Sequence, residues 1–163
     1  MLKIAKTMKE LSFSALMEVY LEGNRENGKD SYPEEPEGSQ LMLAEQDFYN
    51  YLTQVFFPTE GAVYLIWEEQ GRYASALRLE PYRDGLLLEA LETAPDQRRK
   101  GYAKALLQAA LREFDGVKIY SHVHKRNTAS RRTHETCGFR KVLDHAVYAD
   151  GSVLHSSVTY CHE

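Results

Sequence analysis

The 163-residue chain is 43% apolar and 27% charged, with 10 Gly and 5 Pro. That fits one globular domain over 1–163 and excludes a disordered or fibrous chain. No run approaches the ~18 apolar residues of a membrane span, and Met1-Leu2-Lys3-Ile4-Ala5-Lys6 is no apolar leader, so a cytoplasmic protein with no membrane partner is expected. The net charge of −4 argues against a nucleic-acid partner, but its distribution is uneven: residues 1–60 hold 5 Lys/Arg against 11 Asp/Glu, whereas 98–132 hold 10 Lys/Arg against Glu113 and Asp115. The basic stretch suits an anionic ligand, and the acidic one a cation. Cys137 and Cys161 are too few for a disulfide framework or a four-ligand zinc site.

Phe13, Leu16, Met17, Tyr20 and Leu21 recur at helical spacing, with Ser12 as N-cap and Gly23 as the expected stop. Residues 23–38 are rich in Gly, Pro, Asn and acid and read as a long acidic loop. A second helix fits Leu41, Ala44, Phe48, Leu52 and Val55, ended by Pro58. Runs 62–67, 73–79 and 86–93 predict three strands of an antiparallel meander. Ala103, Leu106, Leu107, Ala110, Leu111 and Phe114 predict a helix from about Arg99 to Asp115-Gly116. A strand follows at 117–124 and a helix at 128–137. Strands 139–149 and 153–160 are joined by Asp150-Gly151, a two-residue hairpin signal. The sum is β-α-α-β-β-β-α-β-α-β-β.

The chemistry concentrates in Glu89-Ala90-Leu91-Glu92-Thr93-Ala94-Pro95-Asp96-Gln97-Arg98-Arg99-Lys100-Gly101-Tyr102-Ala103, where a strand enters a turn and then a basic helix start. The first N–H groups of a helix lack acceptors, its dipole favours anions, and small residues admit a phosphate to the backbone. Neither G-x-x-x-x-G-K-[ST] nor G-x-G-x-x-G is present.

Arg98-Arg99-Lys100-Gly101-Tyr102-Ala103 resembles the [QR]-x-x-G-x-[GA] signature of the GNAT N-acetyltransferase superfamily, and Asn127 through Gly138-Phe139 is similar to its later segment. The resemblance implies an α/β (α+β) fold: a mixed, mostly antiparallel sheet of about seven strands with about four helices. It further implies acetyl transfer from acetyl-CoA, without metal, to a primary amine of a small molecule, protein or peptide. The alternative is a non-catalytic acyl-CoA-binding sensor or interaction module. A homodimer is left open.

Under the resemblance, the pantetheine arm enters between strands near 88–93 and 118–123 and bonds the backbone of Leu91, Glu92 and Thr93. The pyrophosphate rests on the N–H groups of Arg98 or Arg99, Lys100, Gly101, Tyr102, Ala103 and Lys104, and Asn127 steadies the arm. An amine acceptor needs a base, and the thiolate an acid. Glu89 stands where several relatives place a carboxylate. Glu92, an odd number of residues on, is expected on the opposite face, so one of the two at most meets the amine. His134 occupies the position where many relatives have a Tyr acid; it is either that acid or a helix histidine that packs. His122 and His124 share a strand face but lack a third ligand. Tyr20, Tyr32, Tyr49 and Tyr51 are candidates for an aromatic wall about an ammonium.

Overall fold

The computed structural model describes residues 1–163. Its nine strands are β1 (Leu2–Ala5), β2 (Val63–Glu69), β3 (Arg72–Tyr82), β4 (Gly85–Thr93), β5 (Ile119–His124), β6 (Arg140–Leu143), β7 (Ala146–Val147), β8 (Val153–Leu154) and β9 (Ser157–His162). Five α-helices accompany them: α1 (Phe13–Val19), α2 (Leu21–Ser31), α3 (Glu37–Tyr51), α4 (Tyr102–Glu113) and α5 (Thr128–Thr136). Seven strands form one sheet in the order β1-β2-β3-β4-β5-β9-β6, and β7 and β8 form a small ladder of their own. The expected α/β fold and meander are present: β2, β3 and β4 pair antiparallel, and β4 and β5 make the parallel pair. No helix is long and apolar enough to cross a membrane.

The two faces of the sheet carry separate cores, as period-two alternation requires. Tyr64, Ile66 and Ala76 pack with Leu16, Val19, Tyr20, Leu52 and Phe56 from the α1–α3 side. Leu65, Leu77, Leu79 and Leu88 pack with Leu106, Leu107 and Ala110 of α4. Each fully buried side chain of this size contributes about 1.5–3 kcal/mol of transfer free energy. α3 runs on as a π-helical turn, Leu52–Phe56, which delivers Leu52 and Phe56 to the first core.

The segment 23–38 departs from the expected loop. Most of it is helical, and Gly23 lies inside α2 rather than ending α1; the break is at Tyr20 (φ −95°, ψ 16°). α2 buries Asn24 and Gly28 instead of an apolar stripe. A Cβ at Gly28 would come 2.5 Å from the Gln40 carbonyl oxygen, so α3 approaches the bare backbone of α2. Close backbone packing thus replaces the apolar periodicity that a helix normally displays. The hairpin is also longer than expected. A loop over 148–152 joins β7 to β8, with Gly151 N–H bonded to Tyr148 O at 2.9 Å. Breaks at 144–145 and 155–156 divide each of the two C-terminal strands.

Candidate active site

β4 and β5 pair over Leu86–Leu88 and Ile119–Ser121 and then separate. From Glu89 onward β4 keeps its β3 partner alone, leaving its other edge free. A β-bulge accompanies the parting. Ala90 adopts φ +53°, and Arg78 pairs with Glu89 while Ala76 pairs with Glu92, so an extra residue is accommodated on β4. Tyr64 Oη bonds Tyr20 Oη at 2.8 Å, and Tyr20 O–H donates to Ala90 O at 2.7 Å, fastening the bulge from the first core. Burial raises both tyrosines' pKa values, so both stay protonated donors.

The bulge corrects one expectation. Because Ala76 and Arg78 are two apart on β3, their partners Glu92 and Glu89 lie on the same face of the sheet. An inserted residue restores the parity that odd spacing would break. Both carboxyls titrate high, chiefly through burial; Glu92, beside Glu22 and Glu26 and opposed by Arg98, is pushed up to about 7.

The cleft, about 630 Å³, is lined by Leu91, Glu92 and Thr93 of β4, Arg98, Arg99 and Ala103 of the turn and α4, and Asn127, Ser130 and Thr133 at α5. Glu22, Gly23 and Glu26 of α2 close one side. Lys100, Gly101, Tyr102 and Lys104 complete the start of α4 without lining the cleft itself. Arg99 (φ +62°) and Gly101 (φ +82°) are left-handed, so α4 begins three residues later than its apolar pattern suggested. None of the N–H groups from Arg98 to Lys104 donates to a backbone acceptor; helical bonding starts with Ala105 N–H to Gly101 O at 2.9 Å. Unpaired donors at the positive end of a helix dipole are the chemistry that an anion requires. The surrounding side chains are already committed in part: Arg98 pairs with Glu22 at 2.7 Å, and Lys100 Nζ meets Gln97 Oε1 at 3.1 Å. Asn127 caps α5 by accepting Ser130 N–H at 3.1 Å, which leaves its amide nitrogen for a ligand.

His134 lies behind this wall, 1% exposed. Its Nδ1 is 2.7 Å from the Ser130 carbonyl oxygen and must donate there, so Nε2 accepts from Ser121 Oγ at 2.9 Å. The ring stacks on Tyr160 and meets Phe139 edge-on. Burial lowers its pKa, favouring the neutral imidazole. Ser121 is the last β5 residue paired with β4, so this dyad stands at the apex of the separation. His122 spends its ring nitrogens on Thr159 Oγ1 (2.9 Å) and Val147 O (3.1 Å).

Of the four aromatic candidates, Tyr20 is in the core, Tyr32 bonds Asp47 at 2.6 Å, and Tyr49 packs on Phe13. Tyr51 covers a residue the sequence analysis passed over. Arg78, in the middle of an apolar strand, is held between Tyr51, Phe48 and Phe56, with its guanidinium carbon 4.9, 5.8 and 5.7 Å from the ring centroids. The signal was available: a lone Arg at an inward-facing strand position requires a partner.

Comparison with known proteins agrees with the geometry. The model of the Acetyltransferase (GNAT) family matches residues 16–139. Solved structures share the fold at low identity. The PaiA N-acetyltransferase of Thermoplasma acidophilum, in complex with coenzyme A, is 16% identical with a TM-score of 0.65, covering 100% of this chain and 99% of its own. An N-acetyltransferase of Staphylococcus aureus Mu50 gives 16% and 0.62, with 100% and 97% covered. The ribosomal-protein-S18-alanine N-acetyltransferase of Escherichia coli gives 18% and 0.57, with 99% and 92% covered. No curated protein matches the chain in sequence. With the signature turn on α4, the parting of β4 from β5 and a family match over three quarters of its length, the chain belongs to the Acetyltransferase (GNAT) family.

Proposed function

We propose that the protein transfers the acetyl group of acetyl-CoA to a primary amine by direct attack. The observation that carries this reading is the coincidence, at the end of β4, of a free strand edge with a run of N–H groups lacking acceptors. The free edge suits the amides of a pantetheine arm, and the run suits a pyrophosphate. Leu91, Glu92 and Thr93 bond the arm, Arg98 to Lys104 hold the phosphates, and Asn127 offers its amide. That the neighbours above are named N-acetyltransferases supports nitrogen as the acceptor atom.

Glu89 takes one proton from the ammonium, freeing the nitrogen lone pair. The C–N bond forms as the C–S bond breaks, and the second nitrogen-bound proton passes to the thiolate, leaving an amide and a free thiol. Burial and the neighbouring Glu80 raise the Glu89 pKa against the opposing pull of Arg78, which makes its carboxylate a better proton acceptor. His134 has no free proton to give, since its N–H is held by Ser130. Its part is to hold Ser121 and α5 at the apex of the cleft.

Thiol release from acetyl-CoA with a panel of primary amines tests this reading. Release is expected, and Glu89→Gln should lower kcat about 10²-fold or more while acetyl-CoA affinity holds. A loss below about tenfold at every pH would put the base elsewhere. Tight acetyl-CoA binding with no release for any amine would make the protein a binding module.

A further inference from the structure

Three buried side-chain polar atoms in the molecule lack a hydrogen-bond partner, and two belong to one pair: Arg78 Nε and Glu89 Oε2. The two residues are direct cross-strand partners, yet Arg78 Nη2 stands 3.9 Å from Glu89 Oε2, beyond hydrogen-bond reach. Both remain partly open, at 15% and 23% side-chain exposure. A guanidinium has five donors, and leaving one buried and unmet is costly. Folding tolerates Arg78 because three aromatic rings attract its charge, but rings satisfy no N–H in the guanidinium plane. A planar fork of this kind matches a carboxylate.

We propose that Arg78 is a specificity-determining residue and that the acceptor is an α-amino acid, its carboxylate on Arg78 and its ammonium on Glu89. This rests on the acetyl-transfer reading above. An α-amino acid carries its two charges across one carbon, as the protein presents the opposite two across one strand pair. Glu80, whose charge helps to raise the Glu89 pKa, reinforces the ammonium side. The two unpaired atoms are themselves covered, so the carboxylate and the ammonium meet the exposed parts of the two side chains. A polyamine or simple amine would meet Glu89 but leave Arg78 repelling its charge.

The test compares L-α-amino acids with their carboxamides and with the corresponding carboxyl-free amines, by thiol release from acetyl-CoA. For at least one side chain, kcat/KM should favour the amino acid over both by about 10- to 100-fold, the size of a charge-assisted bidentate contact. Arg78→Met should bring that ratio near one and Arg78→Lys should keep part of it, with acetyl-CoA binding by calorimetry showing that each variant is folded. Equal turnover of amino acid and carboxyl-free amine by the unaltered protein overturns the inference while acetyl transfer stands, and so does a preference for polyamines. Release with none of these acceptors, nor with any other amine, overturns the acetyl-transfer reading and this inference with it.

Discussion

Glu92 is a carboxylate held where ionisation is expensive: burial, Glu22 and Glu26 raise its pKa to about 7, and Arg98 only partly offsets them. The folded pKa lies above the unfolded value, so the cost is absent below about pH 4.5, grows through the window up to about 7, and is full above it. Glu92→Gln should therefore leave stability unchanged at pH 4 and raise it by roughly 1–3 kcal/mol at pH 8. Thermal unfolding of the ligand-free protein at the two pH values measures this, and an equal shift at both would contradict the burial argument. The same residue shows how far a sequence carries. Glu89 and Glu92 could be named as carboxylates of the signature strand, but odd spacing set them on opposite faces until the bulge at Ala90 put them on one. Nothing in the alanine itself announces φ +53°; it is imposed by the core tyrosines that grip its carbonyl. His134 was nameable by position alone, and the ring's burial depends on nearby Phe139 and on Tyr160 of β9, which is remote in sequence.

Among the elements, α2 was the one least legible. Helices declare themselves by an apolar stripe, and α2 docks through glycine: Gly28 against the backbone of Gln40, Gly23 against the carboxylate of Glu92. The meander β2–β4 and α4, whose Leu106, Leu107 and Ala110 are all buried, followed the periodic rule and were readable. Three glycines of this region then diverge. Gly28→Ala drives a methyl into α3 backbone and should cost roughly 1–3 kcal/mol. Gly23→Ala meets only the end of the Glu92 side chain, at 2.9 Å, and should cost less. Gly38→Ala, on α3 with nothing within 4 Å, should stabilise by roughly 0.5–1 kcal/mol through helix propensity. Denaturant midpoints rank them, and a neutral Gly28→Ala would mean that α2 is not seated on α3 as described.

Across the whole molecule, function follows from where the sheet fails to stay paired. Three residues of parallel pairing join β4 to β5, and beyond them the strands diverge, one running into the turn that starts α4 and the other toward α5. The charge asymmetry of the sequence maps onto this geometry: Arg98 and Arg99 of the basic turn line the cleft, and Glu22 and Glu26 of α2 close it, with Arg98 and Glu22 joined across the opening. The most direct test of the proposed phosphate site is acetyl-CoA binding by calorimetry to Gly101→Glu beside Gly101→Ala. Both carry the strain of a side chain at φ +82° into open space, and only one adds a carboxylate to the turn proposed to hold the phosphates. Folded Gly101→Glu is expected to lose acetyl-CoA affinity by about 100-fold or more relative to Gly101→Ala, as charge repulsion at the helix start requires. Equal affinity in the two folded variants would contradict it.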